Sequence, residues 1–142
     1  IKEKLEFLSQ NYENIIIINV SSKLSGTHSA MLKASKELSD SGYPIKVIDS
    51  KLNSAAQGLL VLHAAKMADS GSTMEEILVS QKNQQSKISS YCIVHSGDLD
   101  TANSFAKEVT NILGYEPEYI CEISSVTALH AGEKAVAIGF IR

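Results

Sequence analysis

Ile15-Ile16-Ile17-Ile18-Asn19-Val20-Ser21-Ser22-Lys23-Leu24-Ser25-Gly26-Thr27 is the stretch that decides the fold. Its β-branched run has strong strand propensity. A continuous apolar run of this length suits a strand covered on both faces, as in a parallel sheet. The strand empties into a short loop carrying the hydroxyls of Ser21, Ser22, Ser25 and Thr27 beside Gly26. Ser29 to Ser39 then reads as a helix, ended by Asp40-Ser41-Gly42. Strand, hydroxyl loop and helix start form a cradle for an anionic group, because a helix N-terminus offers unpaired N–H groups and partial positive charge.

Working outward, Ile1 to Ser9 is predicted helical, and Ile45 to Ile48 is a second strand ending at Asp49-Ser50. A helix follows from Ser54 to Ala68, with Leu59, Leu60, Leu62, Ala64 and Met67 near helical spacing. Thr73 with Glu76 is a capping-box signature for a helix to about Gln81. Gln81 to Ser86 is polar and featureless, so a junction or linker is expected within 81–89. Strands are predicted at Tyr91–Val94, Tyr119–Ile123 and Ala135–Ile141, with a helix from Leu99 to Leu113 that Gly114 ends. Alternating strands and helices predict one layered α/β domain over 1–142, its sheet mostly parallel with helices on both faces. Ligands of such sheets bind outside the carboxyl ends of the strands. The loops Ser21–Thr27, Asp49–Ser54 and His95–Asp98 are expected there.

At 142 residues the chain is long enough to bury a core without staples. A net charge of −3 with scattered Lys and Arg argues against a nucleic-acid or anionic-membrane surface. Cys92 and Cys121 lie in apolar, strand-like stretches and read as buried free thiols, with no CxxC spacing for a metal or redox site. No apolar run reaches transmembrane length, and no signal peptide is evident, so a cytoplasmic protein is expected. The chain opens at Ile1, and upstream sequence is expected.

The loop Ser21–Thr27 is neither a P-loop nor a dinucleotide fingerprint, since it has one glycine and lacks the Gly-Lys pair. Ser124-Ser125-Val126-Thr127-Ala128-Leu129-His130-Ala131-Gly132 is a second polar candidate, where a histidine sits beside hydroxyls. His28, His63 and His95 have no partner at metal-ligand spacing, and no metal site is assigned. His63 reads as a core or boundary residue of its apolar helix. An esterase would draw on Ser22 or Ser25, His130, and Asp49 or Asp98, but no Gly-x-Ser-x-Gly elbow supports it, and no catalytic residue is assigned.

Three segments carry a resemblance. Ser21-Ser22-Lys23-Leu24-Ser25-Gly26-Thr27 resembles the Ser-Ser-x-Leu-Ser-Gly-Thr signature of the DegV family. Val47-Ile48-Asp49-Ser50 before Gly58-Leu59-Leu60-Val61-Leu62 is similar to that family's next strand and helix. His130-Ala131-Gly132 before Ala135 to Phe140 is similar to its His-x-Gly-Pro-Gly stretch and final strand, with Glu133-Lys134 in place of Pro-Gly. The family's Asp-Ser-Thr strand, its Thr-Ser-Gln-Pro-Ser segment and a long middle segment have no counterpart here.

The resemblance implies a bacterial-type carrier that holds a long-chain fatty acid and is not itself an enzyme. It implies no cofactor, only the bound acid as ligand. It also implies a partner, a fatty-acid kinase subunit that phosphorylates the bound acid. Carried onto this sequence, Ser22 is the first expected carboxylate ligand, followed by Ser25, Thr27 and His130, with Ser21 and Gly26 completing the loop. A desolvated carboxylate needs several such donors. Two other classes stay open: an enzyme or enzyme-associated domain acting on a small phosphorylated or acylated molecule, and a ligand-free interaction domain.

Overall fold

A computed structural model describes residues 1–82 and 87–142. The expected junction at 81–89 falls across residues 83–86 and so lies partly outside the described residues. The element order is α1 (Lys2–Asn11), β1 (Ile15–Asn19), α2 (Thr27–Ser39), β2 (Ile45–Asp49), α3 (Ser54–Asp69), α4 (Met74–Lys82), β3 (Ser90–His95), α5 (Leu99–Leu113), β4 (Ile120–Glu122), α6 (Ser125–Ala131) and β5 (Val136–Ile141). The class is mixed α/β. The chain divides into two compact units, Ile1–Asn53 with Leu60–Lys82, and Ser54–Leu59 with Asn83–Arg142.

In the first unit β1 and β2 pair in parallel, from Ile15 opposite Ile45 to Asn19 opposite Asp49. A parallel pair needs a crossover, and α2 supplies it. Strand alternation sends Ile15 and Ile17 to one face, where they pack with Ala34 of α2 around the buried Leu5, Leu38 and Ile45. Ile16 and Ile18 take the opposite face and line a cleft with Val61, Ala64 and Ile77. Each of the four isoleucines is therefore half-buried rather than sealed on both sides as the apolar run suggested. The expected capping box forms: the Thr73 N–H and hydroxyl both donate to Glu76, at 2.8 and 2.9 Å.

In the second unit the strand order is β4-β3-β5, with β3 parallel to β4 and antiparallel to β5. Tyr91, Ile93, Ala102, Ala106 and Val109 form its core where α5 covers β3. α5 takes its predicted bounds for local reasons. Asp98 accepts the Thr101 N–H at 3.0 Å at its start, and Gly114 adopts φ 84° at its end.

Ser124–Gly132, to which the sequence assigns no element, mostly forms α6, with Ser124 as a hydrogen-bonding N-cap. Two expectations are corrected. Cys121 is exposed, since β4 is a short strand at the sheet's edge, whereas Cys92 on the central β3 is buried as expected. His63 is exposed, because the buried positions of α3 are Leu59 and Ala64, and the ring beside them turns outward. Its Nδ1 lies 3.3 Å from the Gln81 amide nitrogen.

Candidate functional site

The serine loop closes at the carboxyl end of β1. Ser21 is buried and braces it: its N–H donates to the Leu52 carbonyl at 2.8 Å, and its carbonyl accepts from Leu24 and Ser25. The Ser21 hydroxyl oxygen also accepts the Lys23 N–H at 3.3 Å. Ser21 is thus spent on holding the loop to the segment after β2.

Ser22 turns to Asp49. Its hydroxyl donates to one carboxylate oxygen at 2.5 Å and its N–H to the other at 3.1 Å, while the Lys51 N–H donates at 3.0 Å. The Ser22 hydroxyl, followed by the Lys51 and Ser22 amides, holds the Asp49 carboxyl down at about 2. The parallel register that sets Asn19 beside Asp49 makes this contact. One carboxylate, the protein's own, already occupies the Ser22 donors.

Ser25 and Thr27 form the second cluster. Their hydroxyls lie 2.8 Å apart, and the Thr27 N–H donates to Ser25 Oγ at 3.2 Å. Two hydroxyls sharing one bond leave one O–H proton uncommitted to the pair. Gly26 is the N-cap of α2 and has no side chain to offer, so the side chain at that end is Ser25, which accepts the Thr27 N–H. Its φ is −69°, and a Cβ built there meets nothing within 4 Å, so the fold itself does not demand glycine at this position.

The structure therefore joins Ser22 with Asp49 and Ser25 with Thr27, on a scaffold braced by Ser21. His130 is exposed on the last turn of α6, in the second unit. The loops Ser21–Thr27 and Asp49–Ser54 meet as expected, while His95–Asp98 belongs to the second unit. There Ser96 receives the Ala135 N–H at 2.9 Å and donates to the Gly132 carbonyl, so its role is structural. Among the described residues no cluster of His, Cys, Asp and Glu could hold a metal ion, and no helix is long and apolar enough to cross a membrane.

The same unit carries an apolar cleft of about 550 Å³. Ile16, Ile18, Val61, Ala65 and Met74 line it, with Asn14 and Thr73 among its few polar neighbours. This volume lies within the usual range for small-molecule sites. β1 links the two features, since its even-numbered isoleucines line the cleft and its carboxyl end feeds the serine loop.

Fold and loop together define a mixed α/β protein in which one strand ends in a hydroxyl-rich helix entry and lends Ile16 and Ile18 to an apolar cleft. The family model described as "Uncharacterised protein, DegV family" matches residues 1–96, and the chain belongs to the DegV family. It is similar to a protein named fatty acid-binding protein from Thermotoga maritima, 36% identical over 77 residues, or 54% of this chain and 26% of that one. A DegV domain-containing protein of Clostridium perfringens is 35% identical over 137 residues, 92% of this chain and 46% of the relative. The chain thus spans between about a quarter and about half of the length of these curated relatives.

Among solved structures, a stearic acid-binding protein from Eubacterium ventriosum matches with a TM-score of 0.78 at 16% identity, covering 96% of this chain and 73% of its own. A Thermotoga maritima protein described as having a fatty acid binding function matches with a TM-score of 0.70 at 20% identity, covering 99% and 73%. At these identities the likeness establishes the fold.

Asp49, in the sequence a strand end in an expected ligand-edge loop and one candidate triad acid, is the immediate partner of Ser22. Asn19 has one signal in the sequence, a polar side chain that ends a run of isoleucines.

Proposed function

We propose that this chain binds a long-chain fatty acid, with its carboxylate taken at the loop Ser21–Thr27 and its tail in the apolar cleft of the same unit. The observation that carries this reading is the continuity of β1, whose Ile16 and Ile18 line the cleft and whose end feeds the loop. Relatives and structural neighbours named for fatty acid binding support it. In this reading the Ser25 and Thr27 hydroxyls and the first-turn N–H groups of α2 beyond Thr27 are the foremost donors, and Gly26 lets the head group come close to the backbone. Ser22 reaches the ligand only by sharing or giving up its bond to Asp49. The reading rests on the first unit and assigns no role to His130. The chain is then a carrier and not an enzyme, and a kinase subunit acting on the bound acid would be its partner.

Isothermal titration with palmitate tests this. Replacing both Ser25→Ala and Thr27→Val removes hydrogen bonds to a charged group, which weakens binding about tenfold or more. Wild-type affinity in that variant removes the loop from the site, and a wild type that binds no palmitate removes the reading.

A further inference from the structure

Two buried nitrogens beneath the loop have no partner. Asn19 is 6% exposed, and its Nδ2 makes no hydrogen bond. His28, in the first turn of α2, likewise holds a buried Nδ1 with no partner. Leaving such groups unpaired is costly, and their presence in an otherwise well-satisfied loop calls for a reason.

Their placement is coherent. Strand alternation puts Asn19 on the face of Ile15 and Ile17, the face that packs on α2. Ile15 shares its cluster with Leu38, and the four residues from Ile15 to Asn19 advance about 13 Å along the strand. The crossover helix runs back along the sheet, and about 13 Å from Leu38 is roughly nine residues, which reaches its first turn. That turn, which follows Gly26, holds His28. Asp49 is the register partner of Asn19, and after the Ser22 hydroxyl and the Lys51 and Ser22 amides, His28 is near enough to help hold its carboxyl down. Asn19, His28, Asp49 and the start of α2 therefore converge behind the serine loop.

We propose that Asn19 and His28 form the inner contacts for the ligand's head group, with Nδ2 of Asn19 donating to one of its oxygens and Nδ1 of His28 facing the same group. The proposal rests on the fatty-acid reading and adds two contact residues to it. Both atoms are sealed from solvent on the α2 face of β1, opposite the cleft, so the ligand crosses the carboxyl end of the strand and its head group reaches them from the loop side.

Palmitate titration of Asn19→Leu tests it, read beside thermal unfolding. A head-group contact predicts affinity weakened about tenfold together with a raised melting temperature, because the variant removes an unpaired buried amide. Wild-type affinity in Asn19→Leu overturns the proposal and leaves the fatty-acid reading standing. A wild type that binds no palmitate overturns both. If Asn19→Leu does not fold, the side-chain amide resonances of Asn19 in the ¹⁵N-labelled wild-type chain decide. A shift on adding palmitate supports the contact, and unmoved resonances overturn it.

Discussion

Replacing Gly58 with alanine offers a sharp test of how the second unit is packed. A Cβ at this position of α3 would lie 2.8 Å from the Tyr119 hydroxyl oxygen, closer than real side chains approach. That hydroxyl donates to the Ala55 carbonyl at 2.7 Å, and burial, the first of several causes, pushes the phenol's pKa up, so it remains a protonated donor. Accommodating the methyl group means moving Tyr119. The lost hydrogen bond costs about 1 kcal/mol, and repacking adds about 1–3 kcal/mol. Alanine returns about 1 kcal/mol as a better helix former than glycine. The net is a loss of about 1–3 kcal/mol, or roughly 3–10 °C in melting temperature.

The decisive comparison repeats the substitution in a Tyr119→Phe background. With the oxygen gone, the nearest ring atom is 3.9 Å from the new methyl, an ordinary contact. Gly58→Ala should then be neutral or stabilising by up to about 1 kcal/mol. Thermal unfolding of the four proteins closes the cycle. Equal losses in both backgrounds, or a gain in the wild type, would refute the steric argument.

Other expectations concern the loop and the core. In Ser22→Ala the largest contribution holding Asp49 down is lost, so the carboxylate's titration, about 2 in the wild type, should move up towards its usual 3.8; an unmoved carboxyl NMR titration counts against the contact. Because the folded pKa of Asp49 lies below its unfolded value, the stability it contributes is present above about pH 4 and is lost as pH falls towards 2. Acid unfolding curves of wild type and Asp49→Asn should therefore differ above pH 4 and converge near pH 2. Tyr91→Phe removes a hydroxyl that meets the Thr110 hydroxyl at 2.9 Å and the Tyr115 carbonyl at 3.2 Å inside a fully buried ring environment, and urea unfolding should register a loss of about 1–2 kcal/mol.

What could be read from the sequence follows the range of each interaction. α5 was bounded correctly because Asp98 and Gly114 act on their own neighbours. The serine loop was found because strand, hydroxyls and helix lie consecutively in the chain. The Ser22–Asp49 contact was not, since those residues stand 27 apart and meet through the parallel register of two strands. α6 is not legible in the sequence for a different reason. It buries no residue, so hydrophobic periodicity carries no trace of it, and only the Ser124 cap announced its start. The exposure of Cys121 is not legible either, because an apolar strand sequence does not reveal that its strand lies at a sheet edge.

Fatty acid binding is tested most directly by native mass spectrometry of the chain after expression in bacteria and incubation with palmitate. A complex of one chain with one palmitate is the expected result, and its yield should fall in the Ser25→Ala, Thr27→Val double variant. A spectrum containing only ligand-free protein at saturating palmitate would contradict the fatty-acid reading.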